Sequence, residues 1–238
     1  MEEALKHLKK AIEIKPDFAE AHFQLALVLK DLKQSKEAEK YLNNAIDLNQ
    51  DYSEAYYHLA LLSKETGKLK YSKEIFLKAL EIDSKSAEIF FHFALLLKDL
   101  GEFISARNNL EKAIEINQNY AEAYYYLGRL LDDPDDYNLA KQSYETAIDI
   151  KPDFADAYYY LGKLVGTGKK IDSDGALVFE PEPEKAKKYY YQTKEINQNH
   201  SKAFYNLALL FKKEKKISEA REYFEKALEI NPQYSKAH

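Results

Sequence analysis

Six blocks of this chain open alike, at Ala19, Ser53, Ala87, Ala121, Ala155 and Ser201, and the first five stand 34 residues apart. The stretches Glu20-Ala21-His22-Phe23-Gln24-Leu25-Ala26 and Glu122-Ala123-Tyr124-Tyr125-Tyr126-Leu127-Gly128 show the likeness. The step from Ala155 to Ser201 is 46 residues, so that block carries 12 extra. A fixed period of this length means stacked units, each burying its apolar face only against its neighbours. Function is then expected on a surface made by stacking, not in a pocket within one globule.

Inside each block the apolar residues recur three and four apart, the spacing of a helix face. Leu25, Leu29 and Leu32 form one stripe; Ala38, Leu42, Ala45, Ile46 and Leu48 form a second. The polar turn Lys33-Gln34-Ser35-Lys36 separates them, and Gly67 or Gly101 falls in the corresponding stretch of the next two blocks. The pattern predicts two short antiparallel helices per block. Small residues mark where those helices approach: Ala26, Ala60, Ala94, Gly128, Gly162 and Ala208 in the first helix. Ala38, Ser72, Ala106, Ala140, Ala186 and Ala220 do so in the second, and Ala45, Ala79, Ala113, Ala147 and Ala227 form a further column. Pro16, Pro152 and Pro232 follow second helices, where proline no longer interrupts a hydrogen bond.

A 34-residue helical hairpin with these small columns and trailing prolines resembles the tetratricopeptide repeat (TPR) over nearly the whole chain. The family's usual tryptophan column departs to His22, Tyr56, Phe90, Tyr124, Tyr158 and Phe204. The block with the insertion is similar to a Sel1-like repeat, a longer cousin with an extended loop between its helices. The resemblance implies an all-α, right-handed α-solenoid of antiparallel hairpins, with first helices lining a concave groove. It divides the chain into a half repeat over 1–18, full repeats over 19–52, 53–86, 87–120 and 121–154, an extended repeat over 155–200, a full repeat over 201–234, and the start of another over 235–238.

The resemblance also implies which positions face the groove. The fifth of each block is an unbroken ring column, Phe23, Tyr57, Phe91, Tyr125, Tyr159 and Tyr205. The ninth reads Leu27, Leu61, Leu95, Arg129, Lys163 and Leu209. From the sixth come His58, His92, Tyr126, Tyr160 and Asn206. Rings and leucines on a face free of the core suit an apolar peptide or helix. The competing reading is that the ring column packs against the next repeat. The TPR mode that clamps a chaperone's C-terminal carboxylate needs lysine at the fifth position, which no block has.

Glu20, Glu54, Glu88, Glu122 and Asp156 fill the second position. They invite a basic partner, yet Asp17, Asp51, Asn119 and Asp153 stand three residues before four of them, a spacing that suits helix capping. The expected partner is therefore an apolar-basic segment, extended or helical. The alternative is the recognition arm of a larger enzyme, such as the TPR region that precedes a glycosyltransferase domain.

Composition narrows the rest. A net charge of −5 argues against nonspecific nucleic-acid binding. Cysteine is absent, which removes disulfides and thiolate metal sites and fits a cytoplasmic setting. No apolar run approaches a membrane span, and the start reads as an amphipathic helix rather than a signal peptide. No catalytic set, metal site or cofactor loop is expected. Asp132-Asp133-Pro134-Asp135-Asp136 lacks the glycine and terminal glutamate of a calcium loop, and Gly166-Thr167-Gly168-Lys169-Lys170 lacks the spacing of a phosphate loop. Ala176-Leu177-Val178-Phe179, within the insertion over 166–183, is expected to fold back onto a neighbouring helix. Met1–Lys15 matches only a second helix and Ser235–His238 only the start of a first, so neither end reads as capped. End-to-end self-association, through Ile217, Phe224 and Leu228 of the last helix, is the corresponding expectation.

Overall fold

The computed structural model describes residues 2–131, 134–171 and 174–233. Its described residues are helical hairpins plus one small β-hairpin, and they fall into two compact units, 1–118 and 119–238. The fold class is an all-α helical-repeat solenoid.

The first unit holds α1 (Glu2–Ile14), α2 (Ala19–Asp31), α3 (Ser35–Leu48), α4 (Ser53–Glu65), α5 (Leu69–Ile82), α6 (Ala87–Asp99) and α7 (Phe103–Ile116). The second holds α8 (Ala121–Leu130), α9 (Tyr137–Ile150), α10 (Ala155–Thr167), β1 (Lys169–Ile171), β2 (Leu177–Phe179), α11 (Pro183–Ile196), α12 (Ser201–Lys213) and α13 (Ile217–Ile230). Helices of 13 or 14 residues are marginal alone in water, so packing must supply their stability. The small columns provide it. Ala26, Ala60, Ala94 and Ala208 are all but fully buried, as are Ala38, Ala106, Ala140 and Ala186 of the second helices. Ser72, which replaces alanine, donates its hydroxyl to the Ala60 carbonyl at 2.7 Å and so adds no unmet polar group to the core.

The turn inside a hairpin needs one residue in the left-handed region. Gly67 and Gly101 take it with φ near 79°, while Lys33 and Lys215 adopt φ of 61° and 62° at the matching place. Two backbone bonds close each such turn; at Gly67, its own N–H reaches the Lys64 carbonyl and the Lys68 N–H reaches that of Ser63.

The insertion forms an antiparallel β-hairpin, pairing Lys169 with Phe179 and Ile171 with Leu177, against the turn at Pro134–Asp136 and α9. The expected fold-back of 176–179 is thus made onto a strand of the same insertion. Gly168 ends α10 with φ 59°, and a Cβ there would sit 2.2 Å from the Glu180 backbone. The Glu180 N–H meets the Gly168 carbonyl at 2.9 Å, which locks the returning chain to the helix end. The Gly166–Lys170 stretch is therefore a helix C-terminus, the electrically wrong end for a phosphate. Asp132, Asp133, Met1 and 234–238 lie outside the described residues.

Candidate functional site

The ring column of the first helices is where the structure departs most from the expectation of a free aromatic wall. Phe23, Tyr57, Phe91, Tyr125 and Tyr159 are each 5–8% exposed. In the first unit the Phe23 ring lies 5.0 Å from Tyr52 and 5.4 Å from His58; Tyr57 lies 5.7 Å from His92. In the second, Tyr125 lies 4.9 Å from Phe154 and 5.8 Å from Tyr160, and Tyr159 lies 4.7 Å from His200. Phe23 and Tyr125 are each covered by the residue just before the next first helix and by that helix's sixth position, Tyr57 by the sixth position, and Tyr159 by the preceding residue. Within each unit a first helix packs on its own second helix and on the second helix of the repeat before it, and its ring also meets the repeat that follows. Its buried arc is wider than one amphipathic stripe suggests, and the rings seal the seam. Tyr205, on the last first helix, stays half-buried and meets Phe224 at 5.7 Å.

Four of the five acids of the second position are committed as well, and Glu54 is exposed. Glu88 accepts from the Tyr57 hydroxyl at 2.9 Å, Glu122 from the Lys151 ammonium at 2.9 Å, and Asp156 is 3.3 Å from His200 Nε2. Glu20 takes the Tyr52 hydroxyl and the Gln24 amide. Burial pushes the Glu122 carboxyl up, but Lys151 and its own backbone N–H outweigh that and hold it below the usual range. The hydrogen bond from His200 lowers Asp156 against an opposing effect of burial, with Arg129 and Lys202 helping. The expected capping box is not formed. The N-caps are Phe18, Tyr52, Tyr120 and Phe154, one residue later than the expected aspartates and asparagine, and none makes a side-chain cap bond. Glu88 instead ties two neighbouring hairpins through Tyr57, while Glu20, Glu122 and Asp156 bond to residues at the end of their own repeats.

What remains accessible on the first helices differs between the units. In the first, Leu27, Leu61, Leu95, His58 and His92 are half-buried. Burial, aided by nearby Lys30, lowers the His58 imidazole to about 4, so it is neutral near pH 7; burial also lowers His92. Tyr57 contacts both imidazoles.

In the second unit, Arg129 of α8 is exposed and holds its guanidinium 4.6 Å from the Tyr160 ring centre, 5.7 Å from Tyr125 and 5.9 Å from Tyr126. Burial alone would ease its proton off, but the tyrosines around it raise its affinity for that proton. A cleft of about 430 Å³ opens there, lined by Glu122, Tyr125, Tyr126, Arg129, Phe154, Asp156, Tyr159, Tyr160, His200 and Lys202. Lys163 and Leu209 are exposed; Asn206 is half-buried. Sequence reasoning missed Phe154 and His200 as walls. Their signal was the residue preceding each block, a ring in five of six cases: Phe18, Tyr52, Tyr120, Phe154 and His200.

Among the described residues no group of three or more His, Cys, Asp or Glu is placed to hold a metal, and no helix is long and apolar enough to cross a membrane. On α13, Ile217 is exposed, while Phe224 and Leu228 are half-buried.

Comparison with known proteins places the repeats in a family. One tetratricopeptide-repeat model matches residues 19–52, 53–86 and 87–120, a second matches 201–234, and a TPR-repeat model matches 1–33 and 135–167. No curated protein matches the chain. Among solved structures, a MamA protein is similar at 27% identity and a TM-score of 0.60, covering 77% of this chain and 94% of its own. PilF of Pseudomonas aeruginosa shares the fold at 18% identity and a TM-score of 0.77, covering 92% and 94%. YrrB, described as a TPR protein with an unusual peptide-binding site, shares it at 20% identity and a TM-score of 0.52, covering 97% and 95%. With repeat matches running through both units, the chain belongs to the tetratricopeptide-repeat family.

Proposed function

We propose that this protein is a non-catalytic interaction scaffold that holds an extended segment of a partner protein along the first helices of its second unit, α8, α10 and α12. The observation that carries this reading is the cleft in which Arg129 stands over three tyrosine rings. Tyrosine and arginine supply contact area at low conformational cost and dominate protein-recognition energetics. The cleft is bordered by half-buried rings, Tyr126 and Tyr160, that give a peptide an apolar wall with polar tips. Of the acids that invite a basic partner, Glu20, Glu88, Glu122 and Asp156 are hydrogen-bonded within the chain, while Glu54 stays exposed. YrrB, with its peptide-binding site, offers a precedent for the class of ligand.

Selection from a randomised dodecapeptide library against the immobilised protein tests the reading. Selected peptides are expected to lose about tenfold or more in affinity for the Tyr126→Ala/Tyr160→Ala variant, a loss worth ~1.4 kcal/mol. Thermal melting checks that the variant is folded. A folded variant that binds every selected peptide as tightly as wild type contradicts the groove.

A further inference from the structure

Beside the cleft, and sharing Arg129 and Tyr160 with it, a second pocket of about 480 Å³ is closed on its far side by the β-hairpin of the insertion. Its charged lining is cationic, Arg129, Lys163 and Lys169 with Thr167 next to them, and no aspartate or glutamate among the described residues contributes to the wall. The Lys163 and Lys169 side chains are exposed, and neither stands within ion-pair distance of a carboxylate among the described residues. Tyr160 and Phe179 give the pocket an aromatic border, and Phe179 is 66% exposed, an unusual state for so large a ring on an ordered strand.

The sequence marks the same place. The ninth position is leucine at Leu27, Leu61, Leu95 and Leu209, and turns cationic only at Arg129 and Lys163, in the block with the insertion and the one before it. The change of side chain and the extra 12 residues therefore meet at one pocket.

We propose that this pocket receives an acidic side chain, with an adjacent aromatic residue, from the segment bound along α8, α10 and α12. Arg129 presents a planar donor fork to the carboxylate, Lys163 and Lys169 add point charges, and Phe179 with Tyr160 flanks the neighbouring ring. The inference rests on the peptide-groove reading above and adds the charge that the segment must carry. The occupant is a protein segment rather than a polynucleotide, because three cations around one pocket give no continuous basic track for a phosphate backbone.

The dodecapeptide selection separates the two readings. It is run with wild type and with Lys163→Glu/Lys169→Glu, whose altered side chains are exposed. Wild type is expected to enrich peptides with Asp or Glu beside Phe, Tyr or Trp, and the variant to bind those peptides at least tenfold more weakly. Changing the acidic residue to its amide should cost the same factor in wild type and little in the variant. Enrichment of uncharged or basic peptides that still depend on Tyr126 and Tyr160 overturns the acidic pocket and leaves the groove standing. Failure to enrich any peptide overturns both. Displacement of a selected peptide by inorganic phosphate at low millimolar concentration, or tighter binding of a single-stranded oligonucleotide than of any peptide, also overturns the assignment to a protein carboxylate.

Discussion

Gly128 and Gly162 stand where the other blocks place Ala26, Ala60, Ala94 and Ala208, and each faces a tyrosine across the hairpin. The facing residue of the second helix is Tyr144 or Tyr190 in the glycine blocks, and Leu42, Phe76, Leu110 or Phe224 in the alanine blocks. A Cβ on Gly128 would lie 2.9 Å from the Tyr144 ring, and one on Gly162 equally close to Tyr190. Both tyrosines are buried. Alanine at an open helix position gains up to ~1 kcal/mol over glycine; overpacking costs about 1–3 kcal/mol. The overlap wins, so Gly128→Ala should lower the unfolding free energy by about 1 kcal/mol or more in urea titration. Adding Tyr144→Leu should recover most of that loss. Stabilisation by Gly128→Ala alone would show that the ring has room to yield.

Among the elements, the β-hairpin of the insertion was the hardest to read in advance. Leu177-Val178-Phe179 looks like a strand, but its partner Lys169-Lys170-Ile171 follows a helix directly and carries no alternation that marks it as one. The pairing is set by Gly168, whose left-handed turn brings Glu180 back to the helix end. Gly168→Ala meets two penalties at once, a φ of 59° and an overlap with the Glu180 backbone at 2.2 Å. The hairpin should come off α10 in that variant. Limited trypsin digestion should then cut after Lys169 several-fold faster, while the melting temperature falls only slightly. Unchanged cleavage would mean that the strands hold together without the turn. The helix starts were misread for a related reason: spacing shows that Asp17, Asp51, Asn119 and Asp153 precede the acids by three, but cannot show that the chain enters the helix one residue later.

For the molecule as a whole, period, helix pairing and close-contact columns were legible, because each is a repeating arrangement of small and apolar residues. The depth of the fifth-position rings was not. Periodicity marks a face of one helix, whereas burial of Tyr125 and Tyr159 depends on the hairpin that follows. The proposed recognition surface is therefore half-buried Tyr126 and Tyr160 with exposed Arg129, beside the ring column rather than on it. Amide hydrogen exchange with and without a selected dodecapeptide tests this most directly. Binding should protect segments 121–130, 155–167 and 201–213, the first helices of the second unit, and leave 137–150, 183–196 and 217–230 nearly unchanged. Protection confined to the second helices would contradict it.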